Sequence, residues 1–299
     1  MANGQRLKAL CEGGQAVRIP HHSACTGYVP PPILWLEVQD RIGIIFRRCI
    51  GYDTLQERID EKSGSMSEHP DIAPGLGRPA LIRVLESAAR LQAVVPDAVL
   101  VGESAAALWA SHRTSFDHDH VLTDLNTRFD TILEAIEATE GWVTNRVAPG
   151  KIILGELGDI ESGVRQLMRS RPLEVTEVEL PSRQVLRVPT PDETLRIKGY
   201  LIVRRNQVRD YLDVAALSDR YAIPHAAQVL ARIDLYYTDQ RGPDAEGVAT
   251  QLARQLADPR PADPRTIRQL GSYKELDARW TTWENVTDVC RSLAVEMTR

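Results

Sequence analysis

No apolar run in this chain approaches the roughly 20 residues needed to cross a bilayer, and its start lacks the basic-then-apolar order of a secretory signal. The sequence therefore offers no membrane span, and the expected compartment is the cytoplasm. Cysteine is scarce. The four present, Cys11, Cys25, Cys49 and Cys290, have no paired spacing, and three crowd into the N-terminal segment. A disulfide framework is not expected, and the thiols read as reduced. Cys11 and Cys25, taken with His21 and His22, also lack the spacing of a zinc set. Nor is positive charge in excess, since 36 Lys and Arg stand against 41 Asp and Glu, for a formal net charge of -5. That balance argues against a body coated all over by nucleic acid and leaves room for a local basic groove.

What the chain does have is size and apolar content. Its 299 residues, 43% of them hydrophobic, suffice for a large core and more than one domain. Residues 1–65 differ from the rest, mixing Gly13-Gly14, His21-His22 and Pro30-Pro31-Pro32 with one apolar patch, Ile42 to Phe46. They read as an appendage, and the Ser/Gly/Pro-rich stretch 63–80 as a linker. Met66 is well placed to begin a shorter functional chain. A helix is expected from Pro79, with Leu81, Val84, Leu85, Ala88 and Leu91 at helical spacing, then a strand from Ala98 to Val101. Phe129, Ile132, Leu133 and Ile136 form the stripe of another helix. Strands are expected over 151–157, 173–180 and 184–188, and Pro189 to Glu193 opens a helical half that runs to the end. The fold class is thus α+β, with an α/β domain over 66–190 and a helical domain over 191–299.

Two constellations carry chemistry. In the first, the apolar run Val99-Leu100-Val101 breaks at Gly102-Glu103-Ser104 and enters an alanine-rich helix, whose N-terminal N–H groups can hold a phosphate. Ser104 also suits a helix cap. Soon after comes Asp117-His118-Asp119. On a strand, alternation points both aspartates to one face and His118 to the other, so the carboxylates can share a divalent cation. The second constellation is Lys198, Arg205, Arg209, Asp210 and Asp213. On an unbroken helix, Lys198, Arg205, Arg209 and Asp213 fall within an arc of roughly 80°. Alternatively, the stretch Arg205-Asn206-Gln207 breaks the run into two helices. In either case lysine and arginine suit phosphate, and aspartate suits a metal or a proton.

Gly102-x-Ser104 through His112-Arg113 and Ser115 to Asp117-x-Asp119 resembles the first motif of the AbiEii/AbiGii-type nucleotidyltransferase toxins. Lys198 with Arg205, Arg209-Asp210 and Asp213 resembles that family's lysine and RD-x-x-D motif. Together the two cover roughly residues 80–220. The resemblance implies a polymerase-β-like nucleotidyltransferase core with a helical C-terminal domain, Mg²⁺ and a nucleoside triphosphate donor. In the mycobacterial toxins of the family it further implies transfer to the 3′ acceptor end of tRNA, which blocks translation, and a cognate antitoxin protein. Carried over, Asp117 and Asp119 ligate the metal, Gly102 and Ser104 hold the β and γ phosphates, and Lys198 neutralises triphosphate charge. Asp213, or else Asp210, completes the site, and Arg205 and Arg209 position phosphate or organise the carboxylates. Where the family has a second glycine this chain has Glu103, whose charge opposes phosphate unless it is paired. A third strand carboxylate is not identified among Glu156, Asp159, Glu174, Glu177 and Glu179.

Other readings of the same residues are a transferase acting on a small molecule or a protein hydroxyl, and a catalytically silent relative that binds nucleotide or RNA. Arg165, Arg169 and Arg171 are candidate contacts for RNA phosphates. Trp280 and Trp283 read as core residues of the last helix.

Overall fold

The first helix of the computed structural model is α1 (Pro79–Val94), with proline at its first position and Leu81, Val84, Leu85, Ala88 and Leu91 buried along one stripe. The structure describes residues 73–240 and 245–299. It divides at Ser67/Glu68, and everything below concerns the second unit. The expected N-terminal appendage, the apolar patch Ile42 to Phe46 and most of the linker lie outside the described residues.

Strand β1 (Val99–Val101) runs without a loop into α2 (Gly102–Ala110). Only a residue tolerant of positive φ allows so abrupt a change, and Gly102 has φ 78°. Then come β2 (Asp117–Leu122), α3 (Leu125–Glu137), β3 (Trp142–Ala148), β4 (Ile152–Leu157) and β5 (Ile160–Gln166). These strands form a five-stranded mixed sheet in the order β1-β2-β5-β4-β3, in which only β2 and β5 are parallel. Strands β6 (Val175–Glu179) and β7 (Val185–Pro189) pair separately as an antiparallel ribbon.

The helical half opens at α4 (Pro191–Arg205), where the Glu193 N–H donates to the Thr190 hydroxyl at 3.2 Å. The run breaks at Asn206, which adopts φ 52°, and resumes as α5 (Val208–Arg220). Of the two geometries left open by the sequence, the two-helix one is observed. Helices α6 (Ile223–Ala231), α7 (Val248–Ala257), the short α8 (Pro264–Ile267) and α9 (Trp283–Met297) follow. Trp280 is buried just before α9, and Trp283 packs edge-on against Tyr211.

The α+β class stands as expected. The boundary expected at residue 190 falls inside the larger core, which joins Leu100 and Leu108 to Leu212 and Leu230. A smaller core lies between α3 and the sheet, around Phe129, Ile136, Ile153 and Val164. Strands β3 and β5 were not among the strands expected from sequence. Strand β3 is an edge with mostly exposed side chains, and β5 carries Glu161, Ser162, Gly163, Arg165 and Gln166, so neither shows an apolar alternation.

Candidate active site

On β2, His118, His120 and Leu122 are buried, while Asp117, Asp119 and Val121 lie half-open on the other face. Parallel pairing sets Glu161 beside Asp117, Gly163 beside Asp119 and Arg165 beside Val121, so these residues share the acidic face. Gly163 makes room for the Asp119 carboxylate, since a Cβ there would collide with its Oδ1. Ser115 donates to Oδ1 of Asp117 at 2.6 Å, and Nε of Arg165 donates to Oδ1 of Asp119 at 3.2 Å.

The pair opens on a cleft of ≈ 890 Å³ that Gly102 and Glu103 also line. Cationic residues on its wall are Lys151, Arg165, Arg169, Lys198, Arg205 and Arg209, and Leu173, Ile197, Leu201 and Tyr237 supply apolar surface. Six expected site residues therefore share one cavity: Gly102, Asp117, Asp119, Lys198, Arg205 and Arg209.

Beneath the cleft lies a buried ion network on α2, α4, α5 and the segment after α2. Asp213, fully enclosed, accepts from Nε2 of His112 at 2.8 Å and from Nη2 of Arg113 at 2.9 Å, and its Oδ2 lies 2.6 Å from Nζ of Lys198. Burial alone would raise the Asp213 carboxyl, but Arg113, Lys198 and the His112 hydrogen bond together hold it well below the usual range. His112 is pushed down by burial, against the pull of Asp213. Glu103 pairs with Arg113 and, at 2.9 Å, with Nη1 of Arg209. Burial works to raise its carboxyl too, yet Arg113 above all keeps it lowered and charged. The condition posed by the sequence is met: Glu103 is paired and does not face a phosphate unscreened.

Four placements differ from expectation. Ser104 is buried within α2 and its hydroxyl donates to the Asp117 carbonyl at 2.5 Å, so it steadies β2 instead of facing the cleft. Lys198 is only 1% exposed and its ammonium is directed at Asp213, so the charge it lends the cleft comes from the wall. Asp213 is enclosed and does not line the cleft, and Asp210 is enclosed and taken up by a two-pronged bridge to Arg205, both contacts at 2.7 Å. The carboxylates of the second motif therefore hold cations in place, because the packing of α2, α4 and α5 closes over them. Arg169 borders the cleft but is buried against Glu193, and Arg171 stacks over Tyr236 away from it, so of the three arginines suggested for RNA Arg165 is the one on the cleft wall that is partly exposed.

None of the five acids considered for the third carboxylate lines the cleft. Asp159 pairs with Arg83 on the surface, Glu174 takes Arg196 and Tyr236, Glu156 accepts from Asn145, and Glu177 and Glu179 lie on the separate ribbon. The acid in register with Asp117 is Glu161, which sequence reading missed because β5 does not look like a strand. Among the described residues no three His, Cys, Asp or Glu converge to hold a metal by themselves. Two carboxylates on one face can share a cation whose other ligands are water or phosphate oxygens.

No family model matches the chain. It is similar to the heme uptake protein MmpL11 of Mycobacterium tuberculosis, 34% identical over 252 residues, which cover 76% of this chain and 24% of that protein. It is also similar to the mycolic acid-containing lipids exporter MmpL11 of Mycolicibacterium smegmatis, 45% identical over 129 residues, covering 43% of this chain and 13% of that one. The chain thus spans about a quarter or less of the length of these relatives. No helix among its described residues is long and apolar enough to cross a membrane. Among solved structures, a candidate nucleotidyltransferase from H. pylori superposes with a TM-score of 0.42 at 16% identity, over 74% of this chain and 94% of that one. A nucleotidyltransferase-like protein from Paracoccidioides brasiliensis does so with 0.37 at 16%, over 58% and 93%.

Proposed function

We propose that this chain is a nucleotidyltransferase of polymerase-β-like plan, with Asp117 and Asp119 at its reaction centre. The observation that carries this reading is the meeting of that acid pair, the N-terminus of α2 and the arginines of α4 and α5 around one cleft. The two hard carboxylate oxygens suit Mg²⁺, which takes one or two carboxylates and fills its shell with water and phosphate. When bound, it would offset charge on the triphosphate and on the departing pyrophosphate. The chain's own groups do the positioning. Lys198, Arg113 and Arg209 oppose only Asp213 and Glu103, so the network leaves a net positive charge at the wall. Arg209, the more open of these cations, is placed to meet phosphate together with the N–H groups of α2. Leu173, Ile197 and Leu201 offer an apolar bed for ribose and base. The acceptor hydroxyl attacks the α phosphorus in line and pyrophosphate leaves.

From the resemblance to the AbiEii/AbiGii-type toxins we propose tRNA 3′ ends as the acceptor, a toxin role in the cytoplasm and a cognate antitoxin. Incubating the protein and Mg²⁺ with each labelled triphosphate and total RNA, protein or small metabolites tests this. Label is expected at RNA 3′ ends, and label found only in protein or small molecules overturns the tRNA assignment. Expression of wild type should arrest growth and Asp119→Ala should not.

A second reading is a catalytically silent chain that binds nucleotide or RNA, favoured by Glu103, which stands where the AbiEii/AbiGii-type pattern has a second glycine. Equal triphosphate binding by wild type and Asp119→Ala, with no transfer by either, would select it.

A further inference from the structure

A second, smaller cavity of ≈ 210 Å³ shares Asp117, Asp119 and Arg165 with the cleft and is otherwise lined by Asn145, Arg146, Glu161 and other residues of β2, β4 and β5. We propose that this pocket receives the acceptor end-first, and that Asn145 and Arg146 bind the phosphate preceding the reacting hydroxyl of a polynucleotide. The inference rests on nucleotidyl transfer at the acid pair and adds where the acceptor lies.

In-line displacement puts the attacking oxygen and the leaving group on opposite sides of the phosphorus. With the triphosphate in the larger, arginine-walled cleft, the nucleophile arrives across the carboxylates from it, and the small pocket is the cavity that touches the same pair. Its volume is below the range that encloses a whole drug-sized ligand, ~300–1,000 Å³, so it admits a terminal unit and leaves the rest of the acceptor outside. The mouth is built to meet that remainder. In a regular strand consecutive side chains point to opposite faces, yet Asn145 and Arg146 both line this pocket. The reason is a bulge: the β3–β4 register jumps from Thr144↔Gly155 to Arg146↔Leu154, leaving Asn145 unpaired. Bulges re-aim side chains in this way beside active sites. Gly155 permits it, because a Cβ there would strike the Trp142 ring and the Val143 carbonyl. Arg146 is exposed, and its guanidinium can grip a phosphate in two-pronged fashion, with the Asn145 amide, now donating to Glu156 at 3.2 Å, as a further donor. In the step itself the acceptor O–H loses its proton to a carboxylate of the pocket, Glu161 or Asp117, as its oxygen bonds the α phosphorus. The bond to the β-phosphate oxygen breaks, and its electron pair leaves with pyrophosphate.

The test is steady-state transfer by the full chain to an RNA oligonucleotide with a free 3′ hydroxyl, with KM measured separately for RNA and triphosphate. Arg146→Ala and Asn145→Ala should each raise the RNA KM about tenfold or more, the loss of a charge-assisted contact. The triphosphate KM and the melting temperature should hold, and Arg146→Lys should recover part of the loss. An unchanged RNA KM, or an equal rise for both substrates, overturns the acceptor assignment while leaving transfer intact. A wild type that labels only protein or small molecules overturns the polynucleotide part, and one that transfers nothing overturns the parent reading and this inference together.

Discussion

Two pairs of aspartates, each spaced as a motif, have opposite fates in this molecule. Asp117 and Asp119 sit on the half-open face of β2, and Asp119 has one partly exposed partner, Arg165. Asp210 and Asp213 sit on the buried face of α5, each saturated by cations from other segments. An acid free to take a ligand must have lone pairs that the protein has not already spent, and only the first pair qualifies. The second pair organises the cationic wall that the first pair faces.

The contrast breaks most visibly at Asp213. Asp213→Ala leaves Lys198 buried without its counter-charge and Arg113 with Glu103 alone, and should cost about 3–5 kcal/mol, read as a large drop in denaturation midpoint. A loss under ~1 kcal/mol would mean that the network relaxes into solvent.

Acid should distinguish the two faces of β2. Burial pushes His118 down to about 4, where it is held between Ser87 and Ser162 at 3.0 and 2.9 Å. The unfolded chain takes up that proton near the ordinary imidazole value of ~6.5, so the unfolded state binds more protons between the two values. Stability is full above ~6.5 and is lost as pH falls toward 4, by roughly 3 kcal/mol at about 1.4 kcal/mol per unit. Denaturation as a function of pH checks this, and His118→Asn should reduce the slope in that window, to which buried His120 and His112, also pushed down, contribute the rest.

Gly163→Ala should cost about 1–3 kcal/mol by overpacking, since its Cβ meets the Asp119 carboxylate. If the carboxylate swings away instead, stability stays and Mg²⁺ binding by calorimetry falls. The smallest stability effect belongs to Asp119→Asn, under about 1 kcal/mol because a half-exposed bridge to Arg165 contributes little. In the same variant the rise in melting temperature that Mg²⁺ should give the wild type is expected to vanish.

Much of the local structure was legible in the residues. The stripe of α1, the break at Gly102 and the start of α4 at Thr190-Pro191 are set by neighbours a few positions away, so spacing alone reveals them. The shared face of Asp117 and Asp119 follows from strand alternation in the same manner. Strand β5 was hidden because its cleft-side positions are Glu161, Gly163 and Arg165, chosen for the site and not for a core, and β3 because an edge with a bulge shows no period.

The chain's own order of residues therefore determined which side chains lie on one face of one element, since that depends only on the pitch of a helix or the pleat of a strand. The tertiary structure decided which charges are spent and which are free: Asp213 against Lys198 and Arg113, Glu103 against Arg209, Glu161 brought beside Asp117. Those outcomes turn on burial and on partners tens of residues distant, and desolvation and pairing exist only once the elements have packed.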